Sequence, residues 1–265
     1  MLVGQVPANV RADVLQQEQG PSVARRLVHV LTAFRPDDPP LTQAEIARRT
    51  AIPRPTVHRL VQELLHAGLL EKDGARLRLG MQLFELGSMA HRQRSLRELA
   101  MPALSDLRLS TRLTVHLAVL DGADVVYLEK LSGRDGPPLR SRVGGRMPAH
   151  CTGVGKALLA ASPALVVRQA LARGLSRRTT RTTIAPGVLL QQLSTAQRDH
   201  VAFDHGESHT DVVCVASSAL NDDGTPLAAV SVSGWGPRVD LHRVAPMVRT
   251  AAAEIARHAS ARAAG

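Results

Sequence analysis

The chain has 265 residues, 44% hydrophobic and 21% charged, a length for one large or two smaller domains and a composition that excludes wholesale disorder. No run approaches the roughly 20 apolar residues of a membrane span, Met1 to Gly20 lacks a signal-peptide pattern, and Cys151 and Cys214 cannot build a disulfide framework, so a cytoplasmic protein with no membrane association is expected. The net charge of +10 points to a polyanionic partner, while 2% aromatics excludes stacking platforms for single-stranded nucleic acid.

Met1 to Gly20 has weak periodicity and reads as a flexible tail. Ser22 then suits the N-cap of a helix that carries Val23, Leu27, Val30, Leu31 and Phe34 on one face. The prolines of Arg35 to Pro40 stop it. Thr42 and Glu45 have capping-box spacing, and Leu41, Ile46 and Ala47 point to a core. Arg48 to Ala51 closes this short helix and begins a tight turn. Ile52 to Thr56 opens a third helix, where proline is tolerated because first-turn N–H groups have no intrahelical partner. Its apolar face is Val57, Leu60, Val61, Leu64 and Leu65, and its opposite face is Arg54, Thr56, His58, Arg59, Gln62 and Glu63. Gly68 ends it, and the alternation on either side of Asp73-Gly74 predicts a hairpin. Three short helices and a hairpin outline a winged helix-turn-helix.

Met81 to about Arg108 is helical in pattern, broken near Pro102, and reads as a connector into a second domain. Strands are expected at Thr114 to Leu120, Asp124 to Glu129 and Leu139 to Val143, a helix at Val154 to Ala161, and two helical stretches between Pro163 and His200. A second hairpin joins Val212 to Leu220 with Pro226 to Gly234, and Arg238 onward is a long amphipathic helix. This order suits an α+β domain, an antiparallel sheet with flanking helices. The domains are therefore drawn as a 1–20 tail, 21–80 winged helix-turn-helix, 81–98 linker helix and 99–265 second domain.

The helix-turn-helix from Thr42 to Leu65 carries the first chemistry. A helix in the major groove needs one apolar side and donors near its N-terminus on the other. Arg54, Thr56, His58 and Arg59 meet that need, while Arg76 and Arg78 on the wing suit phosphates or a minor groove. The bland alternative is a small helical domain with a solvated charged face. Next, Gly153-Val154-Gly155-Lys156 opens a helix, and orphan N–H groups there favour an anion. It is not a P-loop, because Ala157 follows Lys156. Arg140, Arg142 and Arg146 lie nearby in sequence, so a carboxylate site stands against a plain glycine turn. His150, Cys151, His205, His209 and Cys214 lack metal-ligand spacing, and Cys214 sits in an apolar strand, so neither a zinc site nor a thiol nucleophile is expected. No cofactor and no catalytic residue are assigned. Ser231 and Ser233, two apart on a strand, share one face and could orient a polar ligand.

The chain resembles the IclR family of bacterial transcriptional regulators over about Ser22 to Ala264. The matching pieces are Leu41 to Ala47, Pro53 to Leu65, Leu77 to Gly80, Thr114 to Val119, Pro148 to Leu158 and Ser231 to Gly234, in this order and spacing. The resemblance implies a winged helix-turn-helix, a linker helix used in dimer contacts, and a GAF-like effector domain. It implies a homodimer or homotetramer on inverted-repeat operators in double-stranded DNA, with a small organic, anionic or aromatic effector, and repression somewhat favoured over activation. Thr42, Gln43, Arg48, Arg49, Arg54, Pro55, Thr56, His58, Arg59, Arg76 and Arg78 would contact DNA, and Gly153, Val154, Asp204, Cys214, Ser231 and Ser233 would line the effector pocket. Four departures stand out. Pro55 replaces the usual Ser before Thr56, His205-Gly206-Glu207 replaces the usual acidic run, Asp211 replaces a commonly small residue, and Trp235 stands where Pro is common.

Overall fold

The computed structural model describes residues 22–137, 139 and 141–263, with backbone alone at 91, 92 and 263. The tail expected over Met1 to Gly20 and the Arg140 side chain lie outside them. The chain divides into two compact units, Met1–Ala90 and His91–Gly265.

The first unit contains α1 (Val23–Leu31), α2 (Gln43–Thr50), α3 (Arg54–His66), the hairpin β1 (Leu70–Asp73) and β2 (Arg76–Leu79), and α4 (Met81–Ser88). Ser22 caps α1, its hydroxyl accepting from the Arg25 N–H at 3.3 Å. Val30 is buried, but Val23 is exposed because the first turn of α1 lies outside the core cluster. The Thr42 capping box is complete. Its hydroxyl accepts from the Glu45 N–H at 3.2 Å, and the Glu45 carboxylate accepts from the Thr42 N–H at 2.7 Å. Pro53 and Pro55 stand at the start of α3, as their missing N–H groups allow. Gly68, at φ +66°, closes α3. Its N–H donates to Leu65 O and the Leu69 N–H to Leu64 O, the two bonds of a Schellman end. The hairpin turn falls on Gly74 and Ala75, with Asp73 paired to Arg76. Reciprocal 2.8 Å bonds join Leu41 to Leu77 and tie the wing to the start of α2. Leu41, Ile46, Val57, Leu60, Val61, Leu64, Leu70 and Leu77 close the core around Val30.

In the second unit α5 (His91–Thr111) leads into β3 (Thr114–Asp121), β4 (Asp124–Leu131) and β5 (Arg146–Pro148), and a short 3-10 turn, Ala149–Cys151, precedes α6 (Gly153–Ala160). Then come α7 (Ala164–Ala172), α8 (Pro186–Asp199), β6 (Ala202–His205), β7 (Val212–Leu220), β8 (Pro226–Trp235) and α9 (Leu241–Ala263). The strands form one antiparallel sheet in the order β5-β4-β3-β8-β7-β6. Period-two alternation sorts side chains to its faces. Val213, Val215, Val230 and Val232 join Leu104, Leu107, Val248 and Ile255 of α5 and α9 on one side. Ala216 and Ala229 join Val154, Leu158, Leu189 and Leu193 of α6 and α8 on the other. This is the α+β architecture the element order suggested.

Three expectations need correction. The helix does not break at Pro102, which lies inside α5; helical structure is interrupted between Ser88 and His91 instead. A proline interior to a helix costs about 3 kcal/mol, and burial of Leu96, Ala100, Ala103, Leu104 and Leu107 on both sides of it offsets that cost. The third strand is Arg146–Pro148, not Leu139 to Val143. Gly144, at φ +73°, donates to Tyr127 O, and the Tyr127 N–H returns to Gly145 O, so the chain meets β4 only after this turn. The Lys130 ammonium instead holds the carbonyls of Leu139 and Ser141, at 2.6 and 2.7 Å. The strand Ala202–His205 was not anticipated.

Leu104 is fully buried between the sheet and α9. Leu104→Ala should cost about 2–5 kcal/mol, read as a lower urea midpoint for the second unit with an unchanged slope.

Candidate functional site

In the first unit α3 presents Arg54, Pro55, His58 and Arg59 to solvent, with Thr56 half-buried beside them. Among the described residues Arg48, Arg54 and Arg59 enter no ion pair. His58 Nδ1 lies 3.1 Å from Gln43 Oε1, so the two helices share a polar contact at the exposed face. Thr42 is occupied by its capping box. Arg49 is half-buried, donates to Ala33 O at 2.9 Å and pairs with Asp38, whose carboxyl its guanidinium holds below the usual range. This arginine braces the segment after α1. On the wing, Arg76 donates to Pro40 O at 2.9 Å, and Arg78 pairs with Glu71 at 3.0 Å. The candidate DNA residues thus divide into unpaired donors, on α2 and α3, and braced ones.

In the second unit a cavity of about 480 Å³ opens over the β3-β8-β7 face of the sheet, and Gly153, Val154, Asp204, Cys214, Ser231 and Ser233 all line it. Register explains the convergence. Thr114, Ser233, Cys214 and Asp204 stand in one row across β3, β8, β7 and β6, and His116, Ser231, Ala216 and Ala202 in the next. Of these, His116, Asp204, Cys214, Ser231 and Ser233 line the cavity floor, and the small size of most of them leaves room above the sheet. The N-terminal end of α6 forms a wall. Thr152 caps it, accepting from the Gly155 N–H at 3.1 Å. The N–H groups of Gly153 and Val154 have no intrahelical acceptor and sit at the positive end of the helix dipole. The two glycines have distinct packing roles. A Cβ on Gly153 would stand 2.8 Å from Cys214 Sγ, and one on Gly155 only 2.2 Å from Ala149 O.

Asp204 is buried, with one oxygen accepting from the Glu207 N–H and the other from the Ser208 hydroxyl, both at 2.6 Å. Burial outweighs these bonds and pushes its pKa up to about 6. The Glu207 carboxylate pairs with Lys156 of α6, and both side chains are at most 5% exposed. His116 is buried and held neutral by desolvation, with Nε2 2.8 Å from the Ser141 hydroxyl. Sequence reasoning missed His116, Tyr127, Arg177 and Arg178 on the cavity wall, and included Arg142 and Arg146 only as neighbours.

The cysteines stand apart from reactive chemistry. Both are buried, and desolvation raises Cys151 to about 12 and Cys214 to about 11. His150 points its Nε2 at Ser176 O, 3.1 Å away, rather than at a thiol. Among the described residues no group of three His, Cys, Asp or Glu side chains could hold a metal ion.

Residues 89–258 match the family model described as bacterial transcriptional regulator IclR C-terminal, and residues 23–74 the one described as IclR helix-turn-helix domain. The chain is 31% identical over 223 residues to the HTH-type transcriptional regulator XynR of Escherichia coli, covering 81% of this chain and 86% of that one. It is 29% identical over 219 residues to the transcriptional repressor IclR of Escherichia coli, covering 80% of each. The crystal structure of an IclR homolog complexed with 4-hydroxybenzoate, from Microbacterium hydrocarbonoxydans, superposes with a TM-score of 0.81 at 31% identity, covering 91% of this chain and 100% of that one.

The buried Asp204 carboxyl yields a signed pH effect. Its folded pKa of about 6 exceeds the ordinary 3.8, so the folded state binds the extra proton between these values and loses stability as pH rises through them. Asp204→Asn should flatten that loss relative to the parent, measured by urea unfolding at intervals from pH 4 to 7. An unchanged slope would show that the carboxyl does not titrate there. The two thiols should also react with a disulfide reagent only after denaturant is added.

Proposed function

The chain belongs to the IclR family of bacterial transcriptional regulators, and from that premise we propose that it binds an inverted-repeat operator as a homodimer or homotetramer and responds to a small organic anion. One observation carries this reading. Six residues scattered from Gly153 to Ser233 meet on one cavity that combines free helix N–H groups, paired hydroxyls and an arginine rim. A carboxylate would sit against the N–H groups of Gly153 and Val154 and take hydrogen bonds from Ser231 and Ser233. The 4-hydroxybenzoate held by the similar structure is an acid of this kind. Relatives named as repressors favour repression as the outcome.

Residues 21–80 would be the DNA-binding domain. In it Arg54, Pro55, Thr56, His58 and Arg59 enter the major groove, where arginine reads guanine bidentately. Gln43, Arg48, Arg76 and Arg78 would hold phosphates, while Thr42 would act through its capping box and Arg49 through its brace on Asp38. Residues 81–98, which span α4 and the first part of α5 rather than one unbroken helix, would be the linker. Its exposed Met81, Phe84 and Leu86 suit a dimer contact. Residues 99–265 would hold the effector, which acts only through its different affinity for two arrangements of the dimer.

Selection from random duplex DNA at near-physiological salt should return an inverted repeat with half-sites about a helical turn or more apart. Arg54→Ala should then relax preference at one base pair by about 1–3 kcal/mol. Arg78→Ala should weaken all sequences alike and shallow the salt dependence. Recovery of no motif, with both variants binding as the parent does, would overturn the reading.

A further inference from the structure

Residues 176–182, in the loop between α7 and α8, carry Arg177 and Arg178 to the rim of the cavity. Surface arginines are common in this chain, but this loop is tied down at several points. His150, itself buried, holds the Ser176 carbonyl. The Thr182 hydroxyl accepts from the N–H groups of Arg178 and Thr179, at 3.0 and 2.8 Å, and donates to Glu207 O at 2.8 Å. The Thr179 hydroxyl donates to Gly206 O at 2.7 Å. Glu207 in turn donates its N–H to Asp204 on the cavity floor and pairs with Lys156 of the wall helix. The backbone that bears the two guanidiniums is thus fixed to the floor and the wall before any ligand arrives.

The charges around the cavity are unbalanced. Arg142, Arg146, Arg177 and Arg178 line it, and Asp204 is the sole lining carboxylate among the described residues. Arg146 pairs with Asp121 outside. No ion pair among the described residues involves Arg142, Arg177 or Arg178. Three guanidiniums against one carboxylate leave two positive charges unanswered. A monoacid at the helix N-terminus answers one of these charges and leaves the other without a counterion.

We propose that the effector is a small dicarboxylate, with one carboxylate at the N-terminus of α6 over Ser231 and Ser233 and the second clamped by Arg177 and Arg178 with Arg142. This rests on the reading of the cavity as the effector site and names the chemical class it selects. A guanidinium recognises a carboxylate through parallel N–H bonds, and a backbone fixed in advance loses less freedom on binding.

Calorimetric titration of the full chain tests it with matched acids, adipate against hexanoate and terephthalate against 4-methylbenzoate. The parent should bind at least one diacid about tenfold or more tightly than its monoacid partner. In the Arg177→Ala/Arg178→Ala double variant that preference should fall to about twofold or less, because diacid affinity falls far more than monoacid affinity. The corresponding double Gln variant, equally soluble in design, should behave alike. Equal binding of diacid and monoacid, or a preference that survives both double variants, would overturn the clamp and leave the cavity as an effector site. A double variant that weakens both acids alike would reduce the arginines to general attraction and also overturn it. No binding by any of the four acids at millimolar concentration would overturn the clamp together with the effector reading.

Discussion

The close approach of α6 to the sheet is the constraint on which the second unit depends. At Gly153 the helix passes so near β7 that any side chain would strike the Cys214 sulfur, and at Gly155 it passes over the Ala149 carbonyl. Interiors are close-packed, so a Cβ at Gly155, set against backbone, would have to move the helix, and one at Gly153 would have to displace the Cys214 side chain or the helix. With both glycines in place, the first turn of α6 sits close on the sheet, and Gly153 and Val154 line the cavity. The floor must then be shallow. Ser231, Ser233, Cys214 and Ala216 provide that, while the large residues of β7 and β8 point into the opposite core.

The buried Lys156–Glu207 pair is the second consequence of this packing. Lys156 is on the same short helix, one turn beyond the cavity, and is almost fully enclosed. A buried charge is tolerated only when it is paired and hydrogen-bonded. Glu207 supplies the charge and Gln192 a further acceptor at 3.3 Å. Removing one partner would strand the other, so the pair holds residues 205–208 against α6 whatever its net contribution to stability. That segment carries the hydrogen bonds that position Asp204 and the arginine loop. Electrostatics buried behind the cavity therefore determine where its exposed charges stand.

Much of this was legible where chemistry is local. The Thr42 capping box, the Gly68 helix end and the Asp73-Gly74 hairpin are written in a few adjacent residues, and each formed. Ser231 and Ser233 shared a face because strand periodicity requires it. Other features depend on distant partners. Ala202–His205 is four residues long and is a strand only through its register with β7. Leu139 to Val143 has the pattern of a strand, but the Gly144-Gly145 turn and the Lys130 ammonium claim its surroundings. Pro102 reads as a break because the residues that bury both its flanks come from the other end of the chain. Arg177 and Arg178 gave no signal among so many arginines. Their distinction is the bonding of Thr179 and Thr182 to Gly206 and Glu207, which no local pattern announces. His150 drew attention as a ligand or base and is instead a donor to that loop.

The two walls of the cavity differ in what holds them, and this bears on how a bound anion could do work. The sheet floor and α6 are locked between two apolar cores, so displacing them would open well-packed interior. The arginine loop is held by hydrogen bonds through hydroxyls and carbonyls around the buried Thr182, and its Arg177 guanidinium donates to Thr180 O at 3.2 Å. Elements with few buried apolar contacts open at lower free energy than core strands. An effector shifts an equilibrium only by its differential affinity for the two states. On the proposed reading the loop adds affinity because Thr179 and Thr182 already hold it in place, and any bias between two states would need a ligand contact that one state lacks.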